Sequence, residues 1–251
     1  MIRRIIKLIK MGKYERKYMI KKRYGNNQIS SQLLTSYLLE KGAEIGRGTV
    51  FHDHATTVVD IQRPWMLHIG EFCKIAGNVT ILTHDYSRSV LRRRYNDIVG
   101  EAGITEIGDN CFIGLNSVIL MGTHIGNNCI VGAGSIVSGN FQDDVVIAGN
   151  PAHVIMSLDE FYHKRKEKVV DAAKLYCAEF YKKYNCAPSV REMGPFFPVF
   201  LEKTKEAIRD NNVWTKWNGD DENEIIGSFL NSEPIYGSYD EFLKDVMKRL
   251  E

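Results

Sequence analysis

The sequence predicts a mainly β chain, built on a three-sided solenoid with helical segments before and after it. Three observations carry that expectation. An aliphatic residue recurs every six positions at Ile107, Ile113, Ile119, Ile125, Val131 and Val137. The stretch from Ile81 to Gly103 breaks this rhythm with His84, Asp85 and the arginines Arg88, Arg92, Arg93 and Arg94. Before residue 42 and after residue 156, apolar residues follow helical spacing instead.

A period of six matches neither an α-helix nor an amphipathic strand. It suits a triangular coil in which each hexapeptide forms one flat side and eighteen residues complete a turn. Ile107 then stacks on Ile125, Ile113 on Val131 and Ile119 on Val137. Glycine follows the aliphatic residue in four of the six units, where the chain turns a corner. The fifth residue is small (Cys111, Ser117, Thr123, Cys129 and Ser135) and fits an interior with little room. An earlier set, Ile45, Phe51, Ile69 and Ile75, runs in its own register. The solenoid is placed at residues 42–156. One coil cannot bury its own face, so stability comes from stacking. Cys73, Cys111 and Cys129 share the small position and are read as core packing.

The flanks differ in charge. Residues 1–41 hold eleven Lys or Arg and two Glu, about +9, within a chain of net charge +2. The remainder is therefore about −7, which argues against a general nucleic-acid binder. Ile2, Ile5, Ile6 and Ile9 predict a basic helix over residues 2–23. It either covers the open end of the solenoid or lies on an anionic membrane surface. No run of eighteen apolar residues and no secretory pattern occurs, so a cytoplasmic protein with reduced thiols is expected. The tail, residues 157–251, is expected to be a mainly helical appendage. Ser157/Glu160, Ser189/Glu192 and Ser238/Glu241 are spaced as capping boxes, and the first opens a helix of about 158–184. Residues 218–224 read as an acidic loop. Cys177 and Cys186 lack metal-ligand spacing.

The repeat resumes twenty-six residues after Ile81, where an unbroken period would need twenty-four. Residues 82–106 are therefore read as a loop extruded from one corner, a common location for function. The run NVTILTHDYS, from Asn78 to Ser87, precedes IGDNCFIGLNSVIL, IGNNCIVGAGSIV and VVIAGNPAHVI. Together these resemble the hexapeptide-repeat acyltransferases, in particular the galactoside and maltose O-acetyltransferases and the polysaccharide O-acetyltransferases. The resemblance implies a left-handed parallel β-helix assembled as a homotrimer, with acetyl-CoA as acyl donor. It implies that His84 is a general base that deprotonates a saccharide acceptor, a role that suits imidazole. Gly114, Leu115, Gly132, Ala133 and Ser138 match the positions that meet the pantetheine arm, and an oxyanion donor is expected near Leu115. The acetyl group is expected to pass directly to a sugar hydroxyl, in a surface polysaccharide or its precursor, since no nucleophilic Cys or Ser is placed beside His84.

Other residues carry alternatives. Asp60 ends the segment TVVD, which resembles one whose carboxylate binds sugar hydroxyls. Trp65 either stacks on a pyranose or fills a gap between coils. Asp85 either orients the imidazole, contacts substrate or caps the loop. His52 and His54 would share one face of a strand, but without a third ligand no metal is expected. The four loop arginines serve as a solvated face or receive an anionic group. Relatives often carry arginine where this chain has His153 and near Met156, which leaves CoA phosphates to Lys164, Arg165 or Lys166. The rival readings are N-acetylation of an amino sugar, acetylation of an antibiotic, a serine acetyltransferase, and a non-catalytic trimeric scaffold.

Overall fold

The computed structural model describes residues 12–23, 30–213, 215 and 219–248. The chain forms two compact units, Met1–Phe161 and Tyr162–Glu251. The first is a solenoid of short strands in three parallel sheets, visited in strict rotation. One sheet, here A, is ordered β1 (Glu44–Ile45), β4 (Leu67–Ile69), β7 (Thr105–Ile107), β10 (His124–Ile125), β13 (Asn140–Phe141). Sheet B is ordered β2 (Val50–Phe51), β5 (Lys74–Ile75), β8 (Phe112–Ile113), β11 (Ile130–Val131), β14 (Val145–Gly149). Sheet C holds β3 (Val58–Val59), β6 (Thr80–Ile81), β9 (Val118–Ile119) and β12 (Ile136–Val137). An antiparallel strand, β15 (Ala152–Ser157), closes sheet B against β14.

The expected stacking is present. Ile107 pairs with Ile125, Ile113 with Val131 and Ile119 with Val137, each eighteen residues apart. All six are at most 1% exposed and belong to one continuous core. Each buried aliphatic side chain contributes about 1.5–3 kcal/mol of transfer free energy. The small fifth residues also point inward. Cys73, Cys111 and Cys129 are buried, and their thiols donate to the carbonyls of Gly108, Gly126 and Gln142 at 3.0, 3.1 and 3.2 Å. The corners after sheet A use left-handed residues. Asn110, Asn128 and Asp144 all have positive φ, and their side chains form a ladder of 2.9 Å hydrogen bonds. Asn tolerates this backbone and satisfies its neighbour's side chain as well.

The first coils are longer. Ile45 pairs with Ile69 across twenty-four residues, and Val59 pairs with Ile81 across twenty-two. Residues 60–66 leave the ladder between β3 and β4 and include a single helical turn, Pro64–Met66. Between β6 and β7 the chain leaves again. Residues 82–106 are not all loop, because Arg88–Tyr95 form helix α3, which buries none of its residues. We number α1 as Lys13–Arg23, α2 as Ser31–Glu40 and α3 as Arg88–Tyr95. The pair His52 and His54 follows the end of β2 in a turn, so they do not share a strand face as the sequence suggested.

A helix covers the open end of the solenoid. It is α2, capped by Ser30, whose Oγ accepts from Leu33 N. Its Leu33, Leu34, Tyr37 and Leu38 join the solenoid core. The Oγ of Ser31 accepts the Phe51 N–H at 2.9 Å. Helix α1 lies against α2, with Tyr18 stacked on Tyr37 at 4.4 Å between centroids. Glu40 supplies a carboxylate to the Glu15 N–H at the α1 N-terminus. The predicted helix over residues 2–23 is thus described only from Lys13, and Ile2, Ile5, Ile6 and Ile9 lie outside the described residues.

The second unit opens within α4 (Leu158–Tyr184) and continues through α5 (Lys205–Asp210), α6 (Glu222–Leu230) and α7 (Tyr239–Met247). Glu160, Glu192 and Glu241 each donate their N–H to the preceding serine hydroxyl. The boxes at Ser157 and Ser189 are completed by the serine N–H donating back to the glutamate carboxylate, whereas the Glu241 carboxylate accepts from the Gly237 N–H. Part of the predicted acidic loop instead starts α6, with Asp221 as its cap; residue 218 lies outside the described residues. The core gathers Ala173 and Cys177 of α4 with Met193, Phe197, Phe200, Phe229 and Phe242. Lys174 is buried there and ion-paired to Asp245 at 2.5 Å. Among the described residues no helix is long and apolar enough to cross a membrane.

Candidate active site

The corner where β6 ends brings the side chains of Asp60, Thr83 and His84 together. Asp60 follows β3, and its backbone N–H donates to Ile81 O at 2.9 Å, so the coil register brings it beside residues 82–84. Thr83 is fully buried and Asp60 is 9% exposed. One carboxylate oxygen, Oδ1, accepts the Gln62 N–H at 2.9 Å. The other, Oδ2, accepts the Thr83 hydroxyl at 2.6 Å and the Thr83 N–H at 3.1 Å. The same Oδ2 makes a close hydrogen bond with Nδ1 of His84.

This geometry sets charge and tautomer. Burial by itself would raise the Asp60 pKa. The donors from Thr83, Gln62 and His84 outweigh it and hold the carboxyl below its ordinary value. An ionised carboxylate only accepts, so Nδ1 of His84 carries the proton. That leaves the lone pair on Nε2 available. Nε2 makes no hydrogen bond among the described residues, and the His84 side chain is 21% exposed. The arrangement is an oriented imidazole base with a buried carboxylate behind it.

The sequence-predicted residues distribute unevenly around this corner. Asp60, expected to meet acceptor hydroxyls, carries His84. Asp85 does not orient the imidazole: its Oδ1 accepts the N–H and hydroxyl of Ser87, both at 2.8 Å, and so caps the loop. Those two bonds hold its carboxyl below the ordinary range. Trp65 is 63% exposed, so it does not fill a gap between coils. Sequence reasoning missed the Asp60–His84 pair and Thr83. The only signal was Asp60 at the end of a strand segment one coil before His84.

The predicted cofactor positions lie on the two corners that border sheet C. Gly114 follows β8 and Gly132 follows β11, whereas Ser138 follows β12 on the corner that also bears His84. Gly114 is buried, and a Cβ there would sit 2.6 Å from Ala133 N and Val131 O. Its glycine is required by the next coil of the same chain. A Cβ on Gly132 would meet the Ala148 Cβ at 3.0 Å, for the same reason. Leu115, Ala133 and Ser138 are the exposed members of the set. Beside them Gly134 has φ +72° and open space around it.

The protruding helix α3 presents Arg88, Arg92, Arg93 and Arg94. The Arg88 guanidinium lies 4.8 Å from the Tyr86 ring centroid. Tyr86, Val90, Tyr95 and Ile98 are each more than 60% exposed. His153 and Met156 lie on β15 at the end of the solenoid. His124 bonds Glu106 at 3.0 Å on the outer face of sheet A. Among the described residues no three His, Cys, Asp or Glu side chains form a metal-binding group.

The hexapeptide repeat of succinyl-transferase matches residues 104–138. Protein CapG of Staphylococcus aureus is 43% identical over 112 residues, which cover 45% of this chain and 64% of CapG. The chain thus spans slightly under two thirds of that relative. A Dictyostelium discoideum protein bearing the name acetyltransferase is 37% identical over 149 residues, 59% of this chain and 76% of that protein. A hexapeptide-repeat acetyltransferase of Vibrio cholerae aligns with a TM-score of 0.41 at 21% identity, over 59% of this chain and 94% of its own.

Proposed function

The chain belongs to the hexapeptide-repeat acetyltransferases, and from that premise we propose that it transfers an acetyl group from acetyl-CoA directly to a sugar hydroxyl, with His84 as general base. One observation carries this reading: a solvent-reachable imidazole whose Nδ1 is fixed by the buried Asp60 carboxylate. Acetyl-CoA, when bound, supplies an activated thioester. His84 Nε2 would take the proton from the acceptor hydroxyl as that oxygen attacks, and would return it to the departing thiolate, which leaves as the thiol. Asp60 keeps the ring oriented and stabilises the imidazolium formed in between. Such proton transfer contributes about 10²–10⁴-fold.

We read the solenoid as left-handed, as in the family, with residues 42–156 as the catalytic domain. The acyl donor lies along sheet C, past Leu115, Ala133 and Ser138, where small or exposed side chains leave room for a thin chain. The outer residues of the sheets support a homotrimer. Sheet A faces outward with Glu44, His68, Glu106, His124 and Asn140, all polar. Sheet C faces outward with Val58, Thr80, Val118 and Ile136, and Phe112 and Leu115 beside it are 43% and 49% exposed. An apolar face of this kind is suited to burial against another copy.

The acceptor class is a surface polysaccharide or its precursor. The arginines of α3 favour an acidic glycan, since guanidinium groups pair readily with carboxylate or phosphate. A cytoplasmic location with peripheral membrane contact fits the exposed Lys13, Arg16 and Lys17 of α1, with Met19 and Ile20 beside them. The test follows thiol release from acetyl-CoA across neutral, amino and acidic sugars, with mass and base-lability analysis of the product. A base-labile ester on a sugar is expected. A base-stable amide confined to amino sugars would replace O- with N-acetylation. Absence of both turnover and CoA binding would favour the scaffold.

A further inference from the structure

We propose that Thr83 is a positioning residue that limits how strongly Asp60 can raise the basicity of His84. The inference rests on the reading of His84 as the base.

The geometry is specific. Asp60 Oδ2 accepts three donors, two of them from Thr83. The hydroxyl bond, at 2.6 Å, lies in the range of a charge-assisted O–H···O⁻ bond. Thr83 is fully buried, so its hydroxyl is out of reach of bulk solvent. The hydroxyl therefore draws on the same oxygen that faces the imidazole. Each donor on a carboxylate spreads its charge and lowers its attraction for the others.

Two consequences follow for the base. The Thr83 hydroxyl keeps Asp60 ionised in spite of its burial, so the shared proton stays on Nδ1. It also weakens the pull of Asp60 on a protonated ring. A base near neutral pKa is unprotonated for a large fraction of time at working pH, which is what general base catalysis needs. Without the hydroxyl, Asp60 would hold the imidazolium more firmly and the ring would stay protonated to higher pH.

The test is Thr83→Val, which keeps the shape of the side chain and removes the donor, with Thr83→Ser as the rescue. The imidazole of His84 is titrated by NMR in the protein without substrate, and the pH profile of kcat/KM is measured separately. Thr83→Val should raise the His84 pKa by about 0.5–1 unit, and Thr83→Ser should restore it. The acid limb of the kcat/KM profile should move by the same amount. Thr83→Ala replaces the valine variant if the latter does not fold. An unchanged His84 titration in folded Thr83→Val or Thr83→Ala, or a shift that serine does not reverse, overturns the proposal. If the titration moves while no acceptor is ever acetylated, the positioning role stands and the transferase reading fails.

Discussion

His84 and Asp60 stand twenty-four residues apart in the chain, yet Nδ1 of one and Oδ2 of the other share a hydrogen bond at one corner of the solenoid. Their meeting depends on β3 and β6 pairing Val59 with Ile81. The coil register thus delivers a carboxylate from one turn to the imidazole of the next.

Replacing Asp60 with asparagine removes the charge and keeps the shape. The imidazolium loses its counter-charge, so the acid limb of the kcat/KM profile moves to lower pH, opposite to the effect of Thr83→Val. Turnover at neutral pH should fall at least tenfold as the ring loses its preferred tautomer and orientation. Steady-state kinetics from pH 5 to 9 read both effects. An unmoved limb would separate Asp60 from the base.

Asp60 also links stability to acid. Its folded pKa lies below the unfolded value of about 3.9, so the unfolded chain binds the proton more readily. The stabilisation is present above that unfolded value and is lost as pH falls through the folded pKa. Melting temperatures from pH 3 to 7 should therefore drop more steeply below about pH 4 in the wild type than in Asp60→Asn.

Two corner glycines should respond differently to substitution. Gly114→Ala pushes a methyl group into the backbone of the next coil and should cost about 1–3 kcal/mol. Gly134 has open space and needs only a positive φ, which asparagine adopts at Asn110, Asn116 and Asn128. Gly134→Asn should therefore change stability by about 0.5 kcal/mol or less. Denaturant titration of the two variants distinguishes stacking from backbone conformation as the reason for glycine.

In the repeat core, Ile125→Ala opens a cavity between Ile107 and Phe141, its register partners on the adjoining coils. The expected cost is about 2–5 kcal/mol. Asp85→Ala, by contrast, removes only an exposed cap and should leave kcat within about threefold. A larger loss of kcat with unchanged stability would give Asp85 a direct role.

The regular coils were legible because an eighteen-residue spacing places Ile107, Ile113 and Ile119 directly on Ile125, Val131 and Val137. The capping boxes were legible because their hydrogen bonds are local. The Asp60–His84 pair was not. Its spacing follows from the extra residues at 60–66, which belong to no period, and only the folded ladder brings the two together. Helix α2 lies within the segment before residue 42 that reads as helical, with Leu33, Leu34, Tyr37 and Leu38 following Ser30 at helical spacing, although the spacing set bounds only for the helix over residues 2–23. Helix α3 was read as loop, since its arginines suggested solvent. The 88, 92 spacing of two of them was the available signal. The roles of Gly114 and Gly132 were only half legible: sequence marks a close approach but not which backbone approaches.

The most direct test of the account is acetyl transfer by His84→Ala beside the wild type, with CoA binding measured in both. The account predicts a folded variant that binds CoA with unchanged affinity and turns over about 10²–10⁴-fold more slowly. Near-wild-type turnover by His84→Ala would contradict it.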